Sequence, residues 1–113
     1  MNKRTARRTA RQTHVHEFEG STKLAEQGAD RHNHRFAGVT GQVIPVGNSH
    51  VHEIDLSRTD FLNHFHNLKK IRTGLAIPVG NGKHVHFVRG MTTLNDGHRH
   101  QFNLATLIQQ PLV

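Results

Sequence analysis

Residues 84–102 read HVHFVRGMTTLNDGHRHQF. Two histidine triplets, His84/His86 and His98/His100, flank the turn signal Asn95-Asp96-Gly97. Two places beyond the second histidine of each triplet stands an apolar residue, Val88 or Phe102. Positions i, i+2 and i+4 share one face of a strand and not of a helix. The stretch therefore predicts a β-hairpin whose histidines point the same way as its apolar side chains.

The rest of the chain repeats this pattern. All twelve histidines fall in His-x-His triplets: His14/His16, His32/His34, His50/His52, His64/His66, His84/His86 and His98/His100. The apolar residue that follows is Phe18, Phe36, Ile54, Leu68, Val88 or Phe102. The position between is polar in five units (Glu17, Arg35, Glu53, Asn67 and Gln101), with Phe87 the exception. Histidines and apolar residues are thus expected to face inward, and the charges outward.

The triplets sort into two interleaved series. One begins at 14, 50 and 84, the other at 32, 64 and 98. Between the series recur IPVGNSHV (44–51) and IPVGNGKHV (77–85), whose Pro-Val-Gly-Asn reads as a turn. Pro111 falls where a third such turn would begin. The chain divides into a basic arm, 1–12, and an all-β domain, 13–113, of short antiparallel strands. The domain holds three double repeats of roughly 34 residues, at about 13–48, 49–82 and 83–113, each with two His-x-His strands. Two stretches carry helical character instead: TARRTARQ (5–12), and STKLAEQGAD (21–30) with its good helix formers.

Composition sharpens the reading. The hydrophobic fraction is 34%, with no Trp, no Tyr and six Phe, so the core is thin. Thin cores need a staple: disulfide, metal or assembly. Cysteine is absent, which excludes disulfides, thiolate sites and Cys nucleophiles. Metal or assembly remains.

Neutral imidazole suits divalent transition metals, Fe, Zn, Ni or Co among them. Two histidines at i and i+2 stand roughly 7 Å apart at the backbone, near enough for both rings to reach one ion. Two triplets would make a four-histidine site and three an octahedral one. All twelve histidines are the expected ligands. Surface histidines, or a metal-free core of hydrogen-bonded rings, are the plain alternatives; a chain in which no histidine stands outside a triplet argues against both. An open catalytic site needs a nearby general base. Glu17 and Glu53 follow their triplets, but alternation turns them to the opposite face. A cupin-like metal enzyme, touched by GNSHVHEI (47–54), is thus disfavoured against a closed site, and a buffer or sensor with exchangeable ions is the other alternative.

The units HVHFVRGMTTLNDGHRHQF and HNHRFAGVTGQVIPVGNSHVHEI resemble the YmaF family of bacterial proteins, built from repeated T…DGHxH and TG…IP…GxHxH units. The likeness spans roughly residues 14 to 105 and implies architecture without an established activity. The second repeat, SRTDFLNHFH (57–66), lacks the Asp-Gly turn. At motif level the triplets are also similar to those of phage tail-fibre tips, where three chains surround an axial iron.

Formal net charge is +7 with histidine neutral, and Lys3, Arg4, Arg7, Arg8 and Arg11 supply five of those charges. Such an arm would bind nucleic acid or another polyanion through phosphates, or stay solvated. No apolar run suits a membrane span or a secretory signal, so a protein that is cytoplasmic, or assembled without a classical secretion signal, is expected. The sequence-based expectation is a non-enzymatic structural metal-binding protein that self-assembles into a homo-oligomer, a trimer or a filament.

Overall fold

The structure is a computed structural model and describes residues 13–110. The basic arm, the TARRTARQ stretch and Pro111 lie outside them.

The fold is all-β and every strand pairing is antiparallel. Three long hairpins dominate: β1 (Val15–Ser21) with β2 (Arg35–Val39), β5 (Glu53–Arg58) with β6 (Asn67–Arg72), and β9 (Phe87–Met91) with β10 (Gln101–Ala105). Two short hairpins link them: β3 (Ile44–Val46) with β4 (Ser49–Val51), and β7 (Ile77–Gly80) with β8 (Lys83–Val85). These are the two IPVGN turns. Gly47 at φ +58 and Gly80, Asn81 and Gly82 at φ +102, +55 and +75 supply the left-handed backbone that such turns require. The third position is filled by β11 (Gln109–Gln110), which pairs with the start of β1.

Alternation holds along the strands. Phe18 is buried between exposed Glu17 and Glu19, and Phe87 is 63% exposed because its position faces outward. The six inward apolar residues, Phe18, Phe36, Ile54, Leu68, Val88 and Phe102, form one core cluster with Ile71 and Leu104 against it. Each hairpin gives two of them. Across β1 and β2, Phe18 faces Gly38, where an added Cβ would lie 2.7 Å from the Phe18 ring. A small residue there gives the aromatic room in a core with few large side chains.

The middle hairpin carries one extra residue in each strand. Its register runs Ile54↔Ile71 and then Leu56↔Lys69, leaving Asp55 and Lys70 between, with Lys70 at φ +53. The two form an exposed ion pair, which contributes little. Doubling the extra residue keeps Ile54 and Leu68 both inward.

Neighbouring hairpins are joined by backbone bonds in matching places. At one end Gly41, Gly74 and Leu107 donate to the carbonyls of Glu53, Phe87 and Glu17. At the other Lys23, Asp60 and Thr93 donate to those of Gln101, Arg35 and Asn67. Each set closes a ring of three.

Residues 21–30 are not a helix. Ser21 ends β1, and only a 3-10 turn, Gly28–Asp30, appears. Glu26 and Gly28 lie at φ +69 and +61, and Ala25 pairs with His32 to close a loop. Helix propensity in Leu24, Ala25 and Glu26 yields to the need to return the chain to its hairpin partner. Asn95-Asp96-Gly97 does form a turn, with Asp96 and Gly97 at φ +54 and +77. Among the described residues no helix is long and apolar enough to cross a membrane.

Candidate metal centres

The hairpin directions decide where the histidines meet. β1, β5 and β9 all start at one end, and β2, β6 and β10 at the other. The triplets precede these strands, so they gather as two sets of six, one at each end of the apolar core. The first centre holds His14, His16, His50, His52, His84 and His86; the second holds His32, His34, His64, His66, His98 and His100. Within each set the six candidate ligand nitrogens lie within 4.8 Å of one another. One chain supplies all of them.

Each centre has two layers. The second histidines of the triplets, His16, His52 and His86 or His34, His66 and His100, are 0% exposed. The first histidines form the outer layer. His14, His50 and His84 make a triangle with Nε2–Nε2 distances of 3.1 Å on all three sides. The approaches between layers are the same: His16 to His84 is 3.1 Å, His34 to His64 3.1 Å, His100 to His32 3.2 Å. An octahedron with such edges has its centre about 2.2 Å from each vertex, close to the zinc–imidazole distance of about 2.0–2.1 Å.

The inner rings do not donate in these nitrogen pairs, because their other ring nitrogen fixes the tautomer. His16, His52 and His86 direct Nδ1 at the carbonyls of Leu107 (2.8 Å), Gly41 (2.9 Å) and Gly74 (2.9 Å). His34, His66 and His100 direct it at those of Asp60 (3.2 Å), Thr93 (3.0 Å) and Lys23 (2.8 Å). A carbonyl only accepts, so Nδ1 bears the proton and Nε2 keeps a bare lone pair. At the second centre the outer rings are fixed likewise, His32 and His98 by the carbonyls of Asp30 and Asp96 and His64 by Asn63 Oδ1, so lone pairs face each other there at 3.1–3.2 Å and repel. His52 and His86 Nε2 are buried with no hydrogen-bond partner, a costly state unless a cation takes the electrons. The donor set therefore fits one six-coordinate ion per centre, and each group of six can hold a metal ion.

Six buried threonines hold the inner histidines, and the sequence reading missed them as a set. The backbone N–H of His16, His52 and His86 donates to Oγ1 of Thr40, Thr73 and Thr106. That of His34, His66 and His100 donates to Oγ1 of Thr22, Thr59 and Thr92. The carbonyl just after each threonine then accepts Nδ1–H from an inner histidine of a neighbouring hairpin. Thr40 holds His16 while Gly41 orients His52; Thr73 holds His52 while Gly74 orients His86; Thr106 holds His86 while Leu107 orients His16. The relay is cyclic, and the second centre repeats it. A signal was present: threonine stands six residues after His16, His34, His86 and His100 and seven after His52 and His66.

The sequence profile of the YmaF family, described as spore germination protein GerY/YamF, matches residues 11–108. The chain belongs to the YmaF family. No curated protein and no solved structure matches it.

Burial sets the electrostatics of this YmaF-family chain. It pushes the pKa of His14, His16, His52 and His84 from 6.5 down to about 4, with the charge of neighbouring imidazoles adding to the effect. The Leu107 and Gly41 carbonyls pull His16 and His52 the other way without prevailing. His100 is pushed to about 4 by the same burial. His50, His64, His66 and His86 are lowered too, with burial again the first cause. Neutral rings are the form a metal needs. Lys3, Arg4, Arg7, Arg8 and Arg11 lie outside the described residues.

Proposed function

We propose that this protein is a non-enzymatic structural metal-binding domain in which two divalent transition-metal ions, Fe, Zn, Ni or Co, staple three β-hairpins together. The observation that carries the reading is the convergence of six imidazole nitrogens at each end of a small core, the inner three of each set held with Nε2 proton-free. Three hairpins with two core residues each bury little apolar surface, and ions tying all three would add folding free energy directly. Six nitrogens complete an octahedral shell and leave no position for a water or substrate, which supports a closed site over an open catalytic one. Ordered second partners on every inner histidine support a rigid, pre-formed set. The family's description supplies spore germination as the process such a part would serve.

Self-assembly is a separable part of the proposal, since neither centre needs a second chain for its ligands. It is supported by the exposed Leu24, Phe61, Leu62 and Leu94 in the loops around the second centre. The test is metal per chain by elemental analysis of untagged protein, with mass by light scattering on the same sample. About two ions per chain is expected from this geometry. A folded protein with none would overturn the metal reading, and a monomer at high concentration would overturn assembly alone.

A further inference from the structure

The two centres share a ligand geometry but differ in the charge around it. At the second centre carboxylates reach the outward ring nitrogens. Asp60 Oδ1 lies 3.1 Å from His34 Nδ1, Glu26 Oε2 3.2 Å from His98 Nδ1, and Asp96 Oδ2 3.5 Å from His64 Nδ1. These belong to three loops, one on each hairpin. Two of them, Glu26 and Asp96, line with Asp30 a polar hollow of about 310 Å³ against His32, His64 and His98.

The first centre has no counterpart among the described residues. Its inner rings meet neutral groups instead, the carbonyls of Leu107, Gly41 and Gly74 and the hydroxyls of Thr73 and Thr106. Lys83, next to His84, adds a positive charge on that side. Arg31 and Arg99 stand beside triplets of the second centre, but both are exposed, where solvent and salt screen them. The carboxylates differ because they touch the ligand rings themselves.

A carboxylate on the far N–H of a ligating imidazole makes the ring a better donor and offsets the ion's charge. Six neutral imidazoles leave a dication's charge uncompensated. Three carboxylates in contact with the rings offset it at the second centre and not at the first. We propose that the second centre is the retained site and the first the exchangeable one, and that Asp60, Glu26 and Asp96 set the difference. This rests on the metal-binding reading above. It joins the staple and the exchangeable ion in one molecule, one at each end.

The experiment starts from the fully loaded protein and adds a strong chelator in graded amounts, following ions retained per chain by elemental analysis. Release in two steps is expected, with a plateau near one ion. In the zinc-loaded protein, nitrogen-edited ring spectra should change first at His50 and His84 and only later at His64 and His98. The variant Asp60→Asn with Glu26→Gln and Asp96→Asn should lose the plateau, its retained site weakened about 10- to 100-fold. All three side chains are at least 38% exposed. The amide oxygen introduced by Asp60→Asn keeps an acceptor for the Arg35 N–H, so the fold should survive. Glu19→Gln, far from any ring nitrogen, should leave the plateau in place. Release of both ions in one step, first release from His64 and His98, or an unchanged plateau in the triple variant would overturn this proposal while leaving the staple intact. Protein that is folded and metal-free from the outset would overturn both.

Discussion

The two ends of the molecule reach one ligand geometry by unlike routes. Around the first centre the connections are nearly copies of one another: two IPVGN hairpins, with β11 on β1 in the third place. Around the second they have nothing in common. One is a long excursion with a 3-10 turn, one is an irregular bend at 62–64, and one is a tight turn at Asp96-Gly97. Yet the inner histidines at both ends are equally buried and equally held. The ligands are therefore placed by what both ends share, the strands, the core between them and the threonine relays. The loops differ and, at the second centre, carry carboxylates.

Acid should produce the largest effect, and at both ends together. Unfolded histidine has a pKa of about 6.5, and the folded rings cited above titrate lower, several at about 4. Below that unfolded value the unfolded chain binds protons that the folded chain refuses. Stability is complete above about pH 6.5 and falls steadily toward about pH 4. Circular dichroism against pH should show one cooperative loss; two separate steps would mean that the ends do not share a scaffold.

Next in size is Phe102→Ala, at the core between the centres. It should cost about 3–5 kcal/mol in denaturant unfolding and loosen ions at both ends. Loosening at one end only would contradict a common core. Thr40→Val at the first centre and Thr22→Val at the second each strand an inner-histidine N–H, and each should cost about 1–3 kcal/mol. Unequal costs would show that the relays are not equivalent. The smallest effect is expected from replacing residues 61–63 with the Leu-Asn-Asp-Gly of 94–97. Stability should move by no more than about 0.5 kcal/mol, with metal content unchanged. A lost ion there would show that the loops do place the ligands.

Much of this was legible in the sequence. The period-two spacing from histidine to Phe, Ile, Leu or Val gives both the strands and the inward face. The two interleaved series of triplets are the two sets of six that the structure assembles. The threonines were harder to see, because the extra residues Asp55 and Lys70 shift Thr59 and Thr73 by one place and blur the spacing. Asp60, Glu26 and Asp96 stand at no common interval from the rings they touch; only the folded loops bring them there. Residues 21–30 misled because helix propensity is local, while the Ala25–His32 pairing that overrides it is set by the hairpin.

Each centre draws one triplet from each third of the chain, and this governs when it can exist. As the polypeptide leaves the ribosome, the first centre lacks its last ligand until His86 is out, and its relay until Leu107 follows. The second lacks its last ligand until His100. A chain that stops before His84 offers at most four of the six nitrogens of the first centre, and one that stops before His98 at most four of the second, a softer and more open set. A complete set of six reports that the third triplet of its series has been made.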